Sequence, residues 1–244
     1  MAAEREPHGA QAGGAAADGA APDGVTPDGA GGGAAPADES FGGVTPDAAR
    51  RLLLGAVEAF AERGFHATTT RDIASRAGMS PAALYIHYKT KEELLFHISR
   101  VGHERSVRVL DEAAGAEGGA AHRLALAVRS FVHWHAEHHT TARVVQYELA
   151  ALEPQHYAEI VELRRCSEEI MRGILVDGNA SGEFAVADVR GTTLAVMSLC
   201  VDVARWYSPS GRRTPDGIGA LYADLALRMV GAGGQSWPGP RDSG

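Results

Sequence analysis

Between about residue 44 and residue 231, apolar side chains recur every three or four positions, and no stretch keeps the strict alternation of a strand. The spacing predicts an all-α chain. Thr45 followed by Pro46 starts a helix whose inner face carries Ala49, Leu53, Ala56, Val57 and Phe60, and Gly64 ends it. Thr69 with Asp72 three residues later has the form of a capping box and leads into Ile73, Ala74 and Ala77 before Gly78. Ser80 and Pro81 open a very short third helix. Thr90 and Glu93 repeat the capping-box pattern and open a long fourth helix through Leu94, Leu95, Ile98 and Val101. Beyond Gly118 and Gly119 the pattern places helices near 120–138, 140–151, 155–177, 188–207 and 214–230. The stretch "DVRGTTLAVMSLCVDVARWY" is apolar nearly all round from Leu194 to Val203, so more than one of its sides must be covered. The last helix has a cleaner stripe at Ile218, Leu221, Tyr222, Leu225 and Met229. A doubly covered helix beside a striped one points to a partner subunit, hence a homodimer through the helices near 188–207 and 214–230.

The two ends lack this pattern. Residues 1–43 are mostly Ala, Gly, Pro and Asp, with "PDG" at Pro22 and Pro27, and they offer too little apolar surface to offset their ordering entropy. They are expected to form a disordered tail, with a second flexible tail over 232–244. The helical part divides into a compact first domain over 44–92 and a larger second domain over 93–231.

Charge then changes the picture. The chain carries a formal −8 over 244 residues, which opposes nonspecific attraction to a polyanion and confines any nucleic-acid site to a local patch. Over Thr45 to Leu95, Arg50, Arg51, Arg63, Arg71, Arg76, Lys89 and Lys91 stand against Asp47, Glu58, Glu62, Asp72, Glu92 and Glu93, so that stretch is near neutral. Cys166 and Cys200 have no metal-ligand spacing, which fits a reducing compartment. No run approaches the ~18 apolar residues of a membrane span, and the N-terminus lacks the basic start and apolar core of a secretion signal. No membrane partner is expected, and the expected location is the cytoplasm.

The segment "TTTRDIASRAGMSPAALYIHY" reads as a helix, a Gly-containing turn and a second helix. Ile73, Ala74 and Leu84 face inward. Ser80, Pro81, Ala82, Tyr85, Ile86 and His87 are left on or near the free side. Small residues at the start of that helix permit close approach to a groove, and its unpaired N–H groups suit a phosphate. Tyr85 and His87 can donate to phosphates, the Tyr85 ring and Ile86 can touch thymine methyl groups, and Lys89 and Lys91 stand where ammonium groups would clamp the DNA backbone. The whole run "LLLGAVEAFAERGFHATTTRDIASRAGMSPAALYIHYKTKEELL" resembles the DNA-binding domain of the TetR family of bacterial transcriptional repressors. It departs from that family at Tyr88, where Phe is usual, and at Pro81, Ala82 and Ala83, where many members have Lys or Gly. The resemblance implies that Thr70, Arg71, Ser80, Tyr85, His87 and Lys91 face DNA, that Leu84 and Tyr88 pack, and that a two-fold dimer reads a palindromic operator in double-stranded DNA.

For the second domain the resemblance implies a pocket for a small-molecule effector. Phe131, Trp134, Tyr147, Leu163, Met171, Met197 and Trp206 are the lining candidates, weighed against plain core roles for the same residue types. The run "HWHAEHH" places His135 and His139 at i, i+4, the spacing of a shared ion, yet no Asp or Cys completes a set and a helix C-terminus favours His anyway. No metal and no cofactor are assigned. "FVHWHAEHHTTARVVQYELAALEP", with "GEFAVADV" and "WYSPSG", resembles more loosely the TetR subgroup that controls fatty-acid or sterol breakdown and senses CoA thioesters. In that case Arg164, Arg165 or Arg172 would meet the CoA phosphates, against the alternative of ion pairs with Glu162, Glu168 and Glu169. A drug or secondary-metabolite sensor controlling an efflux gene is the other effector reading, and a metal-binding or lipid-carrier protein using His133–His139 is a distant one. No nucleophile with base and orienting acid is visible, so no enzyme is expected. Repressor against activator stays open at this point.

Overall fold

A computed structural model of the chain describes residues 41–232. Among the described residues nine α-helices and one 3-10 turn account for the regular structure, and there is no strand. We label them α1 (Asp47–Ala67), α2 (Thr70–Arg76), α3 (Pro81–His87), α4 (Lys91–Ala114), α5 (Ala120–Glu137), α6 (His139–Glu148), α7 (Pro154–Ser181), α8 (Val189–Trp206) and α9 (Pro215–Met229). The 3-10 turn Leu149–Ala151 joins α6 to α7.

Side-chain caps set most of the boundaries that sequence spacing marks. Gly64 has φ 76, a left-handed conformation, and breaks α1 there, three residues before its nominal end. Thr69 Oγ1 accepts from Asp72 N at 3.2 Å while the Asp72 carboxylate accepts from Thr69 N at 2.9 Å, the complete reciprocal box. The Thr69 hydroxyl also donates to the Asp72 carboxylate at 2.6 Å, and this bond with that from Thr69 N, and Arg63 beside them, holds the Asp72 carboxyl down to about 2. At α4 the box is incomplete. Thr90 Oγ1 accepts from Glu93 N at 3.0 Å, but the Glu93 carboxylate takes the N–H of Lys89, one residue earlier than expected, at 2.6 Å. The start of α5 has no cap from its own N-cap residue, because Gly119 stands there. Glu183, just past the end of α7, supplies it instead by accepting from Ala120 N and Ala121 N at 2.9 and 3.0 Å.

The buried apolar residues fall into two clusters. One contains Leu52, Leu53 and Phe60 of α1, Ile73 of α2, Leu84 of α3 and Leu94, Leu95 and Ile98 of α4. It also takes in Val144, Val145, Leu149, Leu152 and Ile160, so packing crosses the division expected at 92/93 and ties the DNA head to α6 and α7. Phe41 belongs to the same cluster and is only 1% exposed. Phe41 falls within the tail expected over 1–43, yet its ring is buried, because burying a whole aromatic ring outweighs the cost of ordering that residue. Its remaining residues, 1–40, and residues 233–244 of the expected C-terminal tail lie outside the described residues. Ala232 at that end is buried and donates its N–H to Leu227 O at 2.9 Å.

The second cluster is centred on α5, with Leu124, Val128, Phe131 and Val132 packed against Met171, Ile174 and Leu175 of α7, Val196 and Val203 of α8, and Ile218, Ala223 and Leu227 of α9. Two glycines permit the closest approaches. A Cβ at Gly178 would fall inside the ring of Phe184, and one at Gly219 would sit 2.8 Å from Arg129 O, so α9 lies against α5 only because Gly219 has no side chain.

Candidate nucleic-acid interface and effector cavity

The head is a helix-turn-helix with its own internal braces. α2 lies close on α1 where Gly55 leaves room: a Cβ there would be 3.1 Å from Ile73 O. Gly78, at φ 65, turns the chain between α2 and α3, and Arg51 donates to Ala77 O at the end of α2. Ser80 Oγ caps α3 by accepting from Ala83 N at 3.2 Å, with Pro81 in the first turn where its missing N–H costs nothing. Leu84 is fully buried, and Tyr88 is buried with its hydroxyl directed at Ala49 O, 3.4 Å away. That burial pushes the Tyr88 phenol up to about 12.

The opposite face of α3 is open. Tyr85 is 53% and Ile86 79% exposed, and Pro81, Ala82 and Lys89 are exposed beside them, with His87 half-buried. Thr70 Oγ1 and Tyr85 Oη are 3.1 Å apart, which joins the start of α2 to α3 across this face. The cations of the head do not act alike. Arg50 pairs with Asp47, Arg63 with Asp72 at 3.3 Å, and Arg76 with Glu58 and Glu62. Arg71 and Lys89 have no carboxylate partner among the described residues, and both flank the open face. Of the seven formal cations, these two are thus left without a carboxylate or carbonyl partner among the described residues.

Lys91 corrects the sequence expectation. Its ammonium donates to Phe65 O at 2.6 Å, Thr68 O at 2.8 Å and His66 O at 3.4 Å, and sits 4.2 Å from the centre of the Phe65 ring. The carbonyls left over where α1 breaks at Gly64 need a donor, and Lys91 supplies all three of its own. Burial lowers its pKa, opposed by Glu148. It is a brace of the α1–α2 connection and has no N–H left for a phosphate clamp.

A cavity of about 230 Å³ lies among α4, α5, α6, α7 and α8. Of the residues named from the sequence, Phe131, Trp134 and Met197 line it. Tyr147, Leu163, Met171 and Trp206 do not. Tyr147 and Trp206 are 59% and 42% exposed on outer faces, Met171 is fully buried in the second core, and Leu163 packs against the first core. Sequence reasoning missed His103, Ser106, Gln146 and Ser167, which also line the cavity, as does Arg164. His103 Nδ1 is 2.8 Å from Ser99 O and His135 Nδ1 2.8 Å from Phe131 O. Burial holds each of these two imidazoles down to about 4. Arg164 is exposed at the rim without a carboxylate partner among the described residues, whereas Arg165 pairs with Glu162 and Glu169.

The imidazoles of "HWHAEHH" diverge. His135 faces the cavity, His139 Nδ1 is held by Ala136 O at 3.0 Å with its ring edge-on to Tyr207, and His133 lies between Glu137 and Asp216 at 3.4 and 3.3 Å. Among the described residues, the group of metal-ligand atoms that does converge is Glu92, Glu153 and His156, away from this run.

A short exposed recognition helix on a braced helix-turn-helix, followed by a helical domain around a cavity, defines a ligand-responsive DNA-binding regulator. Residues 47–98 match the model for bacterial regulatory proteins of the tetR family, and residues 117–230 match the tetracyclin repressor-like C-terminal domain. The HTH-type transcriptional repressor KstR2 of Rhodococcus jostii is 31% identical over 79% of this chain and 94% of its own. The fatty acid metabolism regulator protein of Bacillus subtilis is 29% identical over 54% of this chain and 69% of its own. The crystal structure of a tetR-family regulatory protein from Rhodococcus RHA1 superposes with a TM-score of 0.72 at 42% identity, over 76% of this chain and 98% of that one. The chain belongs to the TetR family and is a ligand-responsive transcriptional repressor of that family. No helix among the described residues is long and apolar enough to cross a membrane.

Proposed function

We propose that the chain acts in the cytoplasm as a homodimer that holds a palindromic operator and releases it when a small hydrophobic effector, a CoA thioester of lipid breakdown, enters the cavity. The observation that carries this reading is the shared helix α6. Val145 and Leu149 line the cavity and also belong to the core of the DNA head, and Glu148 at the end of α6 accepts from Phe65 N at 3.2 Å. A ligand that displaces α6 therefore displaces the loop that Lys91 braces, and with it α2 and α3.

Thr70, Arg71, Ser80, Tyr85, Ile86, His87 and Lys89 are the proposed DNA-facing set, with Pro81 and Ala82 allowing close approach. Leu194, Leu199 and Trp206 on α8 and Leu221, Leu225 and Met229 on α9 are all between 37% and 62% exposed. Six large apolar side chains on two adjacent helices form a patch of the kind that a second copy covers. For the effector, the fatty-acid regulator among the relatives supports the thioester class, and the unpaired Arg164 at the rim is placed for a phosphate.

The test is fluorescence polarisation on DNA fragments selected from the genome with the purified chain. A fragment with two half-sites is expected to bind, Tyr85→Ala to weaken it at least about tenfold, and a medium-chain acyl-CoA to release it. Wild-type affinity in Tyr85→Ala across a salt titration would displace α3 from the interface. A complex indifferent to every acyl-CoA tried would remove the thioester class.

A further inference from the structure

The polar lining of the cavity holds several fixed acceptors. A backbone carbonyl only accepts, so the Nδ1 atoms of His103 and His135, each 2.8 Å from one, carry the ring proton. Each Nε2 is then a lone-pair acceptor, and neither has a partner among the described residues. Gln146 is fixed in the same sense: its Nε2 donates to Val201 O at 3.1 Å and leaves Oε1 as an acceptor. Ser106 spends its hydroxyl proton on Gly102 O at 3.1 Å. Thr141, Ser167 and Ser198 also line the cavity, and their hydroxyls turn either way; Ser167 Oγ is buried with no partner at all. The fixed donors of the lining are Arg164 at the exposed rim, the Trp134 indole N–H and the second N–H of the Gln146 amide.

Four fixed acceptors from three helices, α4, α5 and α6, thus line a space whose other walls are Phe131, Trp134, Val145, Leu149 and Met197. We infer that the effector brings hydrogen-bond donors, O–H or N–H, to the Nε2 atoms of His103 and His135. Its class is a mostly apolar molecule with a hydroxyl or amide N–H at its inner polar position. A carboxylate, ether, ester or ketone placed there would set lone pair against lone pair and leave both imidazoles unsatisfied. This inference rests on the reading of the cavity as the effector site. Two sources supply such donors: a hydroxyl on the apolar body itself, or the amide N–H and hydroxyl groups of the pantetheine arm of a CoA thioester.

Calorimetry on the full chain with matched probes tests it. n-Octanol and methyl heptyl ether are isomers of nearly equal bulk that differ in one donor, and octanoate offers acceptors alone. Octanol is expected to bind at least about tenfold tighter than the ether, with octanoate weakest. His135→Phe and, separately, Gln146→Leu are expected to narrow that ratio toward one. Octanoyl pantetheine separates the sources: binding tighter than octanol assigns the donors to the arm, and weaker binding assigns them to a hydroxyl on the body. Equal binding of octanol and the ether by the wild-type chain would overturn the inference and leave the cavity reading standing. Failure of all four probes to bind would overturn the cavity reading itself, and the inference with it.

Discussion

The two cores of this protein are built from different stock. The head packs Phe41, Leu52, Leu53, Phe60, Ile73, Leu94, Leu95 and Ile98, all at most 2% exposed, around helices as short as seven residues. The sensing core relies heavily on alanine, with Ala113, Ala120, Ala121, Ala125, Ala127, Ala136, Ala223 and Ala226, and it has a hollow beside it. Large side chains fill the space between short helices and fix their angles, as a DNA-reading surface requires. Small ones let long helices approach closely along one line and leave room along another.

Substitutions that remove bulk should separate the two regions most sharply. Phe60→Ala is expected to cost about 3–5 kcal/mol, because the head has no slack to refill the hole. Met197→Ala, which only enlarges an existing space, should cost under about 1 kcal/mol. Chemical denaturation reads both, and equal costs would erase the distinction between a filled and a hollow core.

Acid should act on the sensing side. His103 and His135 titrate at about 4 in the folded chain against an ordinary 6.5. Their neutral burial leaves stability undiminished above 6.5 and takes it away as pH falls from there toward 4. Between pH 6.5 and 5 each should remove about 2 kcal/mol, and His103→Gln with His135→Gln should flatten that slope. A pH profile unchanged in the double variant would mean that other groups set it.

Lys91→Met is expected to destabilise the chain by about 2 kcal/mol, since it strands carbonyls at the end of α1. Operator affinity should fall while its dependence on salt stays the same. Lys89→Ala should do the reverse, leaving stability alone and reducing the slope of log affinity against log salt by about 1. If both lysines changed the slope alike, Lys91 would be a phosphate contact after all. Thr90→Ala should cost about 1 kcal/mol from the lost cap of α4, visible as a modest fall in melting temperature.

The fold was largely legible because its helix boundaries are written in local chemistry. Thr69 with Asp72, Ser80 with Pro81, and Gly64 act within a few residues of themselves, and all three behave as their spacing implies. What escaped depends on contacts distant in sequence. Lys91 looks like any exposed cation until α1 brings three carbonyls to it from residues 65–68. Met171 and Met197 have the same chemistry, yet one points into solid core and the other into space, and helical period alone does not distinguish those sides. The imidazole at 135 read as one member of a His-rich run. Its role depends on His103, from a different helix, lining the same wall.

Phe41 also bears on how the chain should be handled in the laboratory. Its ring is sealed in the head together with Leu52 and Leu53, although helix α1 begins only at Asp47. A shortened version cloned from residue 44, where the helical pattern begins, would discard that ring and expose the pocket it fills. Starting at Ser40 keeps it. The better cloning boundary is therefore set by one aromatic side chain outside every helix.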